Sequence, residues 1–467
     1  MKNNLLKTNL LLIISLILIV TNVSSINVET QEDENSEIYD LLIITPNEWI
    51  NDITKLKNHK EKNNLKTKIV TLSEIYDVMY WEGRDDAEKI KYYIKNAYDN
   101  WNIKYVFLIG GIKNQISSEE IWWMPVRYIH LVDRWGGMKS YSEEKYLSDL
   151  YFADLYYPNG SFSSWDTNNN GIFGEWKENE SSIDQMDLVP EVSIGRLPCR
   201  NKIELQIMIQ KIISYENNKN IDSWFKNMVV VSGDTYTDND YFDGEVETQW
   251  ALDMMPGFNH IKLWTSLETF TGPMDVIKTV NKGCGFLYFA GHSAPTLWGN
   301  HPPYNEDVLV KGLNMFTVML LFNMKKLPVC IIGGCHTSLF NVSYGHTTWL
   351  GGRLKTYECL SWKMTRKIGG GSIATIGNTG LGYGEDDKLN PENGGGSGHL
   401  NKFFFKSYGI DNKLNLGDCW SNAIETYLDS YPINWEANSY DDTTIDAKTV
   451  TQWILFGDPS LKIGGYN

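Results

Sequence analysis

Leu41-Leu42-Ile43-Ile44-Thr45 is a short, almost continuous apolar run, which is the pattern of a strand buried on both faces. Two similar runs follow at residues 68–72 and 104–110. Before the third run, apolar side chains recur at helical spacing over residues 90–98, and Asp85-Asp86 stand where a helix favours acidic residues. Strand and helix therefore alternate, which predicts a parallel sheet covered by helices.

The same alternation returns further along the chain. Strand-like runs are predicted at residues 190–196, 228–232, 286–290, 328–333 and 372–377. A chain of 467 residues exceeds the usual size of one domain, roughly 100 to 200 residues. We therefore expect an α/β protein with mostly parallel sheets flanked by helices, built as two subdomains at residues 40–220 and 221–467.

The N-terminus has the pattern of a secretory signal. Lys2 and Lys7 precede an apolar run at residues 10–20, and Ser24-Ser25 supply small residues for cleavage. The apolar run is too short to span a bilayer comfortably, although an uncleaved anchor is the alternative. We expect a signal peptide at residues 1–25 and a disordered acidic leader at residues 26–39. The mature chain is expected to have no membrane span and to be secreted or at the cell surface.

Charge and cysteine content exclude some classes of function. The formal net charge of −16 argues against a nucleic-acid partner, because binding phosphates requires clustered Lys and Arg. The six cysteines include no CxxC pair and match no zinc framework. The sequence does not indicate an oligomeric state.

A cysteine and a histidine follow two of the predicted strands. Gly333-Gly334-Cys335 closes the run at residues 328–332, and Gly291-His292 closes the run at residues 286–290. In an open parallel sheet, ligands bind outside the carboxyl ends of the strands. A thiolate is a nucleophile, and a neighbouring imidazole lowers the pKa of the thiol and moves its proton. Either residue alone is more often a core residue, but together they predict a Cys/His dyad.

These motifs form part of a longer ordered series by which the chain resembles the gingipain-type cysteine peptidases, relatives of caspases and legumains. The series comprises residues 41–45, 105–111, 124–128, 147–151, 189–197, the two motifs with His292 and Cys335, and residues 456–461. The resemblance implies a caspase/gingipain-like fold. It also implies an endopeptidase that hydrolyses protein or peptide substrates through a thioester acyl-enzyme.

The resemblance assigns roles to residues. Cys335 would be the nucleophile and His292 the general base and acid, while the N–H groups of Cys335 and Ser293 would hold the oxyanion. The family usually has His-Gly where this chain has His292-Ser293. If the site requires a positive φ, serine is strained there. The alternative is therefore a catalytically inactive gingipain-like surface or binding protein.

An acidic residue is also expected beside the catalytic histidine. The resemblance favours Glu191, in the segment Pro190-Glu191-Val192, for orienting His292, with Asp149 or Asp154 as alternatives. His336 follows the nucleophile and would point to the other face of an extended chain, so a structural role is expected for it.

A loop rich in Asp and Asn predicts a structural calcium site. Its oxygen donors are Asp166, Asn168, Asn170, the carbonyl of Ile172, and Glu175. Alternate oxygen side chains followed by Gly171 match the start of an EF-hand loop, although the acid comes earlier than in that motif. The alternative is an Asx-rich turn. No catalytic cofactor is expected, since the histidines lack the spacing of a zinc hydrolase.

Overall fold

In this computed structural model, the described residues are 38–113, 120–132, 143, 145–218, 223–238, 240–345, 356–384 and 395–466. The predicted signal peptide, and the predicted leader up to residue 37, lie outside the described residues. The leader's last residue, Tyr39, already belongs to the folded part, because its N–H donates to the carbonyl of Trp101 at 3.0 Å.

The strands of the described part of the chain are two to six residues long. They are β1 (Leu41–Thr45), β2 (Thr67–Thr71), β3 (Tyr105–Ile109), β4 (Tyr128–Ile129), β5 (Tyr146–Leu147), β6 (Ser193–Leu197), β7 (Asn227–Ser232), β8 (Asn259–Trp264), β9 (Phe286–Ala290), β10 (His292–Ala294), β11 (Leu297–Asn300), β12 (Val310–Asn314), β13 (Val329–Ile332), β14 (Ala374–Asn378) and β15 (Trp453–Phe456).

The described helices connect and cover these strands. They are α1 (Ile50–Lys62), α2 (Leu72–Val78), α3 (Asp86–Trp101), α4 (Lys202–Glu216), α5 (Asp243–Asp253), α6 (Pro273–Lys282), α7 (Leu360–Thr365), α8 (Gly396–Gly409), α9 (Leu416–Ser430) and α10 (Asp442–Gln452). Short 3-10 helices occur at Asn47–Trp49, Leu150–Phe152 and Thr317–Leu320.

Ten strands form one sheet in the order β2-β1-β3-β6-β15-β14-β13-β9-β7-β8. Most neighbours are parallel, but β15 is antiparallel to β14 and parallel to β6. The predicted α/β class with a mostly parallel, helix-flanked sheet is therefore confirmed. The antiparallel step reverses the direction of the sheet, so the carboxyl ends of β9, β13 and β14 share an edge with the amino end of β6.

The sheet continues across the predicted subdomain boundary. Strands from residues 40–220 occupy one end and strands from residues 221–467 the other, and the β6–β15 pairing joins them. The chain from Ile38 onward forms a single compact unit. The sheet is therefore continuous across the boundary predicted between residues 220 and 221.

Sequence pattern explains the local structure of the first half. Every residue of β1 and β3 is buried, as expected for strands covered on both faces. The Asp85 carboxylate caps α3 by accepting a hydrogen bond from the Glu88 N–H at 2.8 Å. Ile90 and Ile94 on one face of α3 are fully buried. The apolar face of α3 is therefore its buried face.

A three-stranded antiparallel sheet, in the order β10-β11-β12, is attached where β9 ends. Trp298 in β11 packs in one apolar cluster with Leu287, Phe289 and Ile332 from β9 and β13. Only Gly291 separates β9 from β10, so this packing fixes the direction in which the chain leaves β9. The small sheet thereby sets the position of His292.

Candidate active site

His292 and Cys335 follow neighbouring parallel strands. β9 and β13 are paired with Phe289 opposite Ile332, and each residue comes three positions after its paired strand residue. Neighbouring strands lie about 4.8 Å apart, so both residues emerge at the same edge of the sheet. The Ser293 hydroxyl donates a 2.6 Å hydrogen bond to the Cys335 carbonyl and joins the two turns directly.

Gly334 makes the close approach of the two turns sterically feasible. Its φ is 126°, in the region that favours glycine. A Cβ atom at this position would overlap the Ser293 side chain and lie 2.8 Å from the Gly291 carbonyl oxygen. The glycine before Cys335 is therefore required by both its backbone angle and its surroundings.

A backbone carbonyl orients the imidazole of His292. His292 Nε2 lies 2.8 Å from the Thr235 carbonyl oxygen, which follows β7. Because a carbonyl only accepts hydrogen bonds, Nε2 carries the hydrogen, and the neutral ring has its lone pair on Nδ1. The rings of Tyr236 and His301 lie edge-on, with centroids 6.0 and 5.3 Å from that of His292. Nδ1 is thereby the basic atom of the neutral ring.

Ser293 occupies an extended position and avoids the strain considered for it. It lies in β10 and is not among the positive-φ residues of the described chain. The two-residue turn Pro295-Thr296 makes Ala294 and Leu297 a hydrogen-bonded pair, so Ser293 and Trp298 form a non-hydrogen-bonded pair. The Ser293 N–H consequently points away from β11, toward the open side of an edge strand.

Two side chains that the sequence did not reveal hold the turn before Cys335. Trp298 Nε1 donates to the Gly333 carbonyl at 2.9 Å, and Asn378 Nδ2 donates to the Gly334 carbonyl at 3.0 Å. The Cys335 thiol lies 3.7 Å from the Gly382 carbonyl oxygen. Asn378 directly follows the strand predicted at residues 372–377, and that position was the available signal for it. The turn before Cys335 is therefore held by one side chain from β11 and one from β14.

Cys335 differs from the other five cysteines, all of which lie in described ranges. None of the six forms a disulfide, and Cys335 alone among them is partly exposed. Burial raises the pKa of Cys199, Cys284, Cys330 and Cys419 above the ordinary value, and raises that of Cys359 to about 12. Since the thiolate is the nucleophile, Cys335 is the cysteine placed for chemistry.

Glu191 is not placed beside His292. Its carboxylate accepts hydrogen bonds from the N–H groups of Leu155 and Tyr156, at 2.5 and 3.3 Å. Glu191 precedes β6, which lies four strand positions from β9, a separation of about 19 Å. The Glu191 carboxylate is therefore engaged away from His292, whose Nε2 lies against the Thr235 carbonyl.

The two alternative acids also have other partners. Asp149 forms a bidentate ion pair with Arg196. Both hydrogen bonds measure 2.7 Å, and the arginine is fully buried. Asp154 accepts hydrogen bonds from Trp165 Nε1 at 2.6 Å and from the Leu188 N–H at 2.9 Å. Both acids therefore stabilise the first half of the fold.

The Asp/Asn loop adopts a compact turn. Asp166 accepts hydrogen bonds from the N–H groups of Asn170 and Gly171 at 3.0 and 2.8 Å. Asn170 Nδ2 donates to Glu175 at 2.7 Å, and the Asn168 side-chain oxygen accepts from the Asn170 N–H at 2.9 Å. Hydrogen bonds therefore link the side chains of four of the five predicted donors, and Ile172 joins them through its N–H, which donates to Asn170 at 2.7 Å.

Two cations lie beside the carboxylates of this loop. Arg84 pairs with Asp166 at 2.5 Å, and Lys177 pairs with Glu175 at 3.1 Å. Among the described residues, no group of three or more His, Cys, Asp or Glu side chains is arranged to hold a metal ion. A metal in the loop would therefore depend on amide and carbonyl oxygens in addition to the two carboxylates.

Among the described helices, none combines the length and hydropathy that crossing a bilayer requires. This finding applies only to the described residues.

The chain is similar in sequence to two curated gingipains. The chain is 20% identical over 443 residues to gingipain R2 of Porphyromonas gingivalis, covering 93% of this chain and 46% of that protein. It is 22% identical over 281 residues to gingipain R1 of the same species, covering 58% of this chain and 24% of that protein. The chain thus spans less than half the length of these curated relatives.

Solved structures show the same fold. The crystal structure of the Arg-specific cysteine proteinase gingipain R matches with a TM-score of 0.60 at 17% identity, over 92% of this chain and 79% of that one. A structure described as a protease matches with a TM-score of 0.56 at 14% identity, over 91% and 78%. A family model for peptidase family C25 matches residues 34–464. The chain therefore belongs to peptidase family C25, the family of gingipain-like cysteine peptidases.

Proposed function

We propose that this chain is an active cysteine endopeptidase, with Cys335 as nucleophile and His292 as general base and acid. The observation that carries the proposal is that both residues leave adjacent parallel strands at one edge and are joined by the bond from Ser293 to the Cys335 carbonyl. The tautomer that Thr235 selects leaves Nδ1 as the base, which suits proton removal from a thiol.

The reaction would proceed in two halves. His292 Nδ1 takes the proton of the Cys335 thiol, the thiolate attacks the peptide carbonyl carbon, and the N–H groups of Cys335 and Ser293 hold the oxyanion. The imidazolium then gives its proton to the leaving amine as the C–N bond breaks, which leaves a thioester. Water, deprotonated by His292, attacks the thioester and releases the acid and the thiol.

The test compares Cys335→Ala and His292→Ala with the unchanged protein on a mixture of denatured proteins. Each substitution is expected to abolish cleavage, and iodoacetamide is expected to label Cys335 before the five buried cysteines. Cys284→Ala, which replaces a buried thiol, serves as the control and should retain activity. Equal cleavage by Cys335→Ala would refute the proposal, and absence of cleavage by the unchanged protein would favour an inactive binding protein.

We also propose a structural calcium site in the loop that contains Asp166, Asn168, Asn170, Ile172 and Glu175. The support is that hydrogen bonds hold four oxygen-bearing side chains in one turn and that the two carboxylates attract cations, Arg84 and Lys177. Calcium would replace those ion pairs, so a bound ion would cross-link the loop. The role is stability, and no catalytic step involves the ion.

Calcium binding is tested by thermal unfolding after treatment with EDTA. Adding Ca²⁺ should raise the melting temperature of the unchanged protein, and Asp166→Asn should abolish the increase. Asp429→Asn, an exposed change on α9, is the control for loss of one negative charge. No calcium-dependent shift in the unchanged protein would rule out the site.

We propose further that the protein is exported, on the basis of the signal pattern at residues 1–25. N-terminal sequencing of the protein recovered from the medium or the cell surface should begin near Ile26. Recovery of all of the protein inside the cell with Met1 retained would contradict export.

A further inference from the structure

The partly buried carboxylate of Glu143 binds His336, the residue that follows Cys335. Glu143 Oε1 lies 2.9 Å from His336 Nε2. Glu143 Oε2 accepts a hydrogen bond from the Leu381 N–H at 2.9 Å and pairs with Lys448 Nζ at 3.1 Å. The Lys448 side chain, on α10, is fully buried. Glu143 therefore joins three segments that are distant in sequence at one point.

The segment bound by Glu143 contacts the nucleophile on both sides. At the end of β14, Asn378 donates to the Gly334 carbonyl at 3.0 Å, and in the loop that follows, the Gly380 carbonyl accepts from the His336 N–H at 2.8 Å. The Gly382 carbonyl lies 3.7 Å from the Cys335 thiol. The backbone before and after Cys335, and the thiol itself, are therefore all in contact with residues 378–382.

The fit around Glu143 is tight. A Cβ atom at Gly380 would collide with the Glu143 carboxylate, so the loop can approach only because residue 380 is glycine. His336 itself has a φ of 59°, a left-handed conformation that is uncommon for a residue other than glycine. Such a conformation persists when surrounding contacts hold it, and the bonds from His336 to Glu143 and Gly380 supply them.

Glu143 is ionised in the folded protein. Burial alone would raise the pKa of the Glu143 carboxyl group, but the charge of Lys448 and the hydrogen bond from His336 outweigh burial and hold the pKa at about 2. Glu143 is therefore a carboxylate at any pH at which a thiol protease works. Because a carboxylate only accepts, His336 Nε2 carries a hydrogen and donates it.

We propose that Glu143 is a positioning residue for the nucleophile: together with His336 and Lys448 it fixes residues 378–382 and thereby the thiol and N–H of Cys335. This inference rests on the proposed peptidase function of Cys335. Glu143, His336 and Lys448 are proposed to make no contact with substrate. Disrupting them is therefore expected to change the rate of the chemical step and the reactivity of the thiol. Substrate binding should change little.

The chain contains a matched cluster away from the site. Glu216 likewise joins a histidine and a buried lysine, with His59 at 2.9 Å and Lys60 at 2.8 Å. Both partners lie on α1, and Glu216 ends α4. Loss of either carboxylate removes the same kinds of bond, but only Glu143 is connected to Cys335. Glu216→Gln is therefore the control for destabilisation alone.

The experiment measures kcat, KM and the alkylation rate of Cys335 by iodoacetamide in Glu143→Gln, Glu216→Gln and the unchanged protein. Glu143→Gln should lower kcat and the alkylation rate by about tenfold or more, with KM changed by less than about threefold, since small misplacements of reacting groups cost rates of this order. Both variants should lose thermal stability. Glu216→Gln should keep the kcat and alkylation rate of the unchanged protein.

Two further variants separate positioning from folding. His336→Gln retains a side-chain N–H that can reach Glu143 and should recover part of the rate that His336→Ala loses. Equal kcat and alkylation rates in Glu143→Gln and Glu216→Gln would overturn the inference. If the unchanged protein cleaves no peptide, the proposed function fails, and the alkylation rates alone then decide whether Glu143 positions Cys335.

Discussion

The hydroxyl of Ser293 donates a hydrogen bond of 2.6 Å to the carbonyl oxygen of Cys335. This bond connects the residue after His292, the proposed general base, to Cys335, the proposed nucleophile. Both residues are expected to present N–H groups to the oxyanion, so the bond fixes the two donors relative to each other. The serine that departs from the family's His-Gly pattern therefore supplies a contact that glycine lacks.

Ser293→Ala should lower kcat by about two- to tenfold, the effect of losing one hydrogen bond between uncharged groups. The loss should stay far below the hundred- to thousandfold typical of removing an oxyanion donor, since alanine keeps the backbone N–H. Steady-state cleavage of a peptide substrate measures the effect. Ser430→Ala, which removes a serine hydroxyl on α9 bonded to Thr426 at 2.7 Å, is the control. A loss of several hundredfold would show that the hydroxyl itself is essential.

A second prediction concerns which ring nitrogen of neutral His292 carries the hydrogen. Nitrogen-15 NMR of the labelled protein at a pH where the ring is neutral should show hydrogen on Nε2, because the Thr235 carbonyl can only accept. The resonance is assigned by its disappearance in His292→Gln. Hydrogen on Nδ1 would contradict both the carbonyl contact and the assignment of Nδ1 as the base.

Much of the sheet was predictable because buried parallel strands are continuous apolar runs. The runs at residues 41–45 and 286–290 coincide with β1 and β9, and α3 contains the predicted helical face at residues 90–98. β15 was not predicted. Whether a short apolar run pairs parallel or antiparallel depends on neighbours distant in sequence, so the reversal of direction between β14 and β15 has no local signal.

For the candidate site, the sequence points to residues whose chemistry is intrinsic and not to residues whose proposed role comes from position. Cys335 and His292 carry a reactive thiol and imidazole at strand ends, and the family resemblance orders them. Thr235 acts through its backbone carbonyl, which every residue has, and Glu143 is distant in sequence from the nucleophile it lies behind. Glu191 was favoured from its motif, but the reversed half of the sheet places it about four strands away.

The buried pair of Asp149 and Arg196 yields a stability prediction. Asp149→Asn leaves the guanidinium of a fully buried arginine without its counter-charge and should lower the free energy of unfolding by about 3 to 5 kcal/mol. Urea unfolding followed by tryptophan fluorescence measures the change. The control is Asp411→Asn, in a partly exposed pair with Lys406, which should cost less than about 1 kcal/mol. Similar losses in the two variants would contradict the prediction.

Glu191 determines a pH dependence of stability. Burial is the main cause that raises the pKa of its carboxyl group to about 7, and the charge of Asp154 adds to it. The unfolded chain loses this proton near the ordinary value of 4.5. Between these values the folded protein holds more protons, so its stability from this group falls as the pH rises from about 4.5 to 7. The loss is complete above pH 7.

Glu191→Gln cannot ionise and should be free of that loss, while its amide oxygen can still accept from the Leu155 N–H. The melting temperature of the variant, relative to the unchanged protein, should therefore increase between pH 5 and pH 8. Lys91 and Asp154, whose pKa values are shifted to about 7 and 6, titrate in both proteins and interact electrostatically with Glu191, so the difference reports the titration of Glu191 together with its effect on these two neighbours. Glu436→Gln, at an exposed position, controls for the lost charge. A difference in melting temperature that is constant from pH 5 to pH 8 would show that Glu191 titrates as an ordinary glutamate.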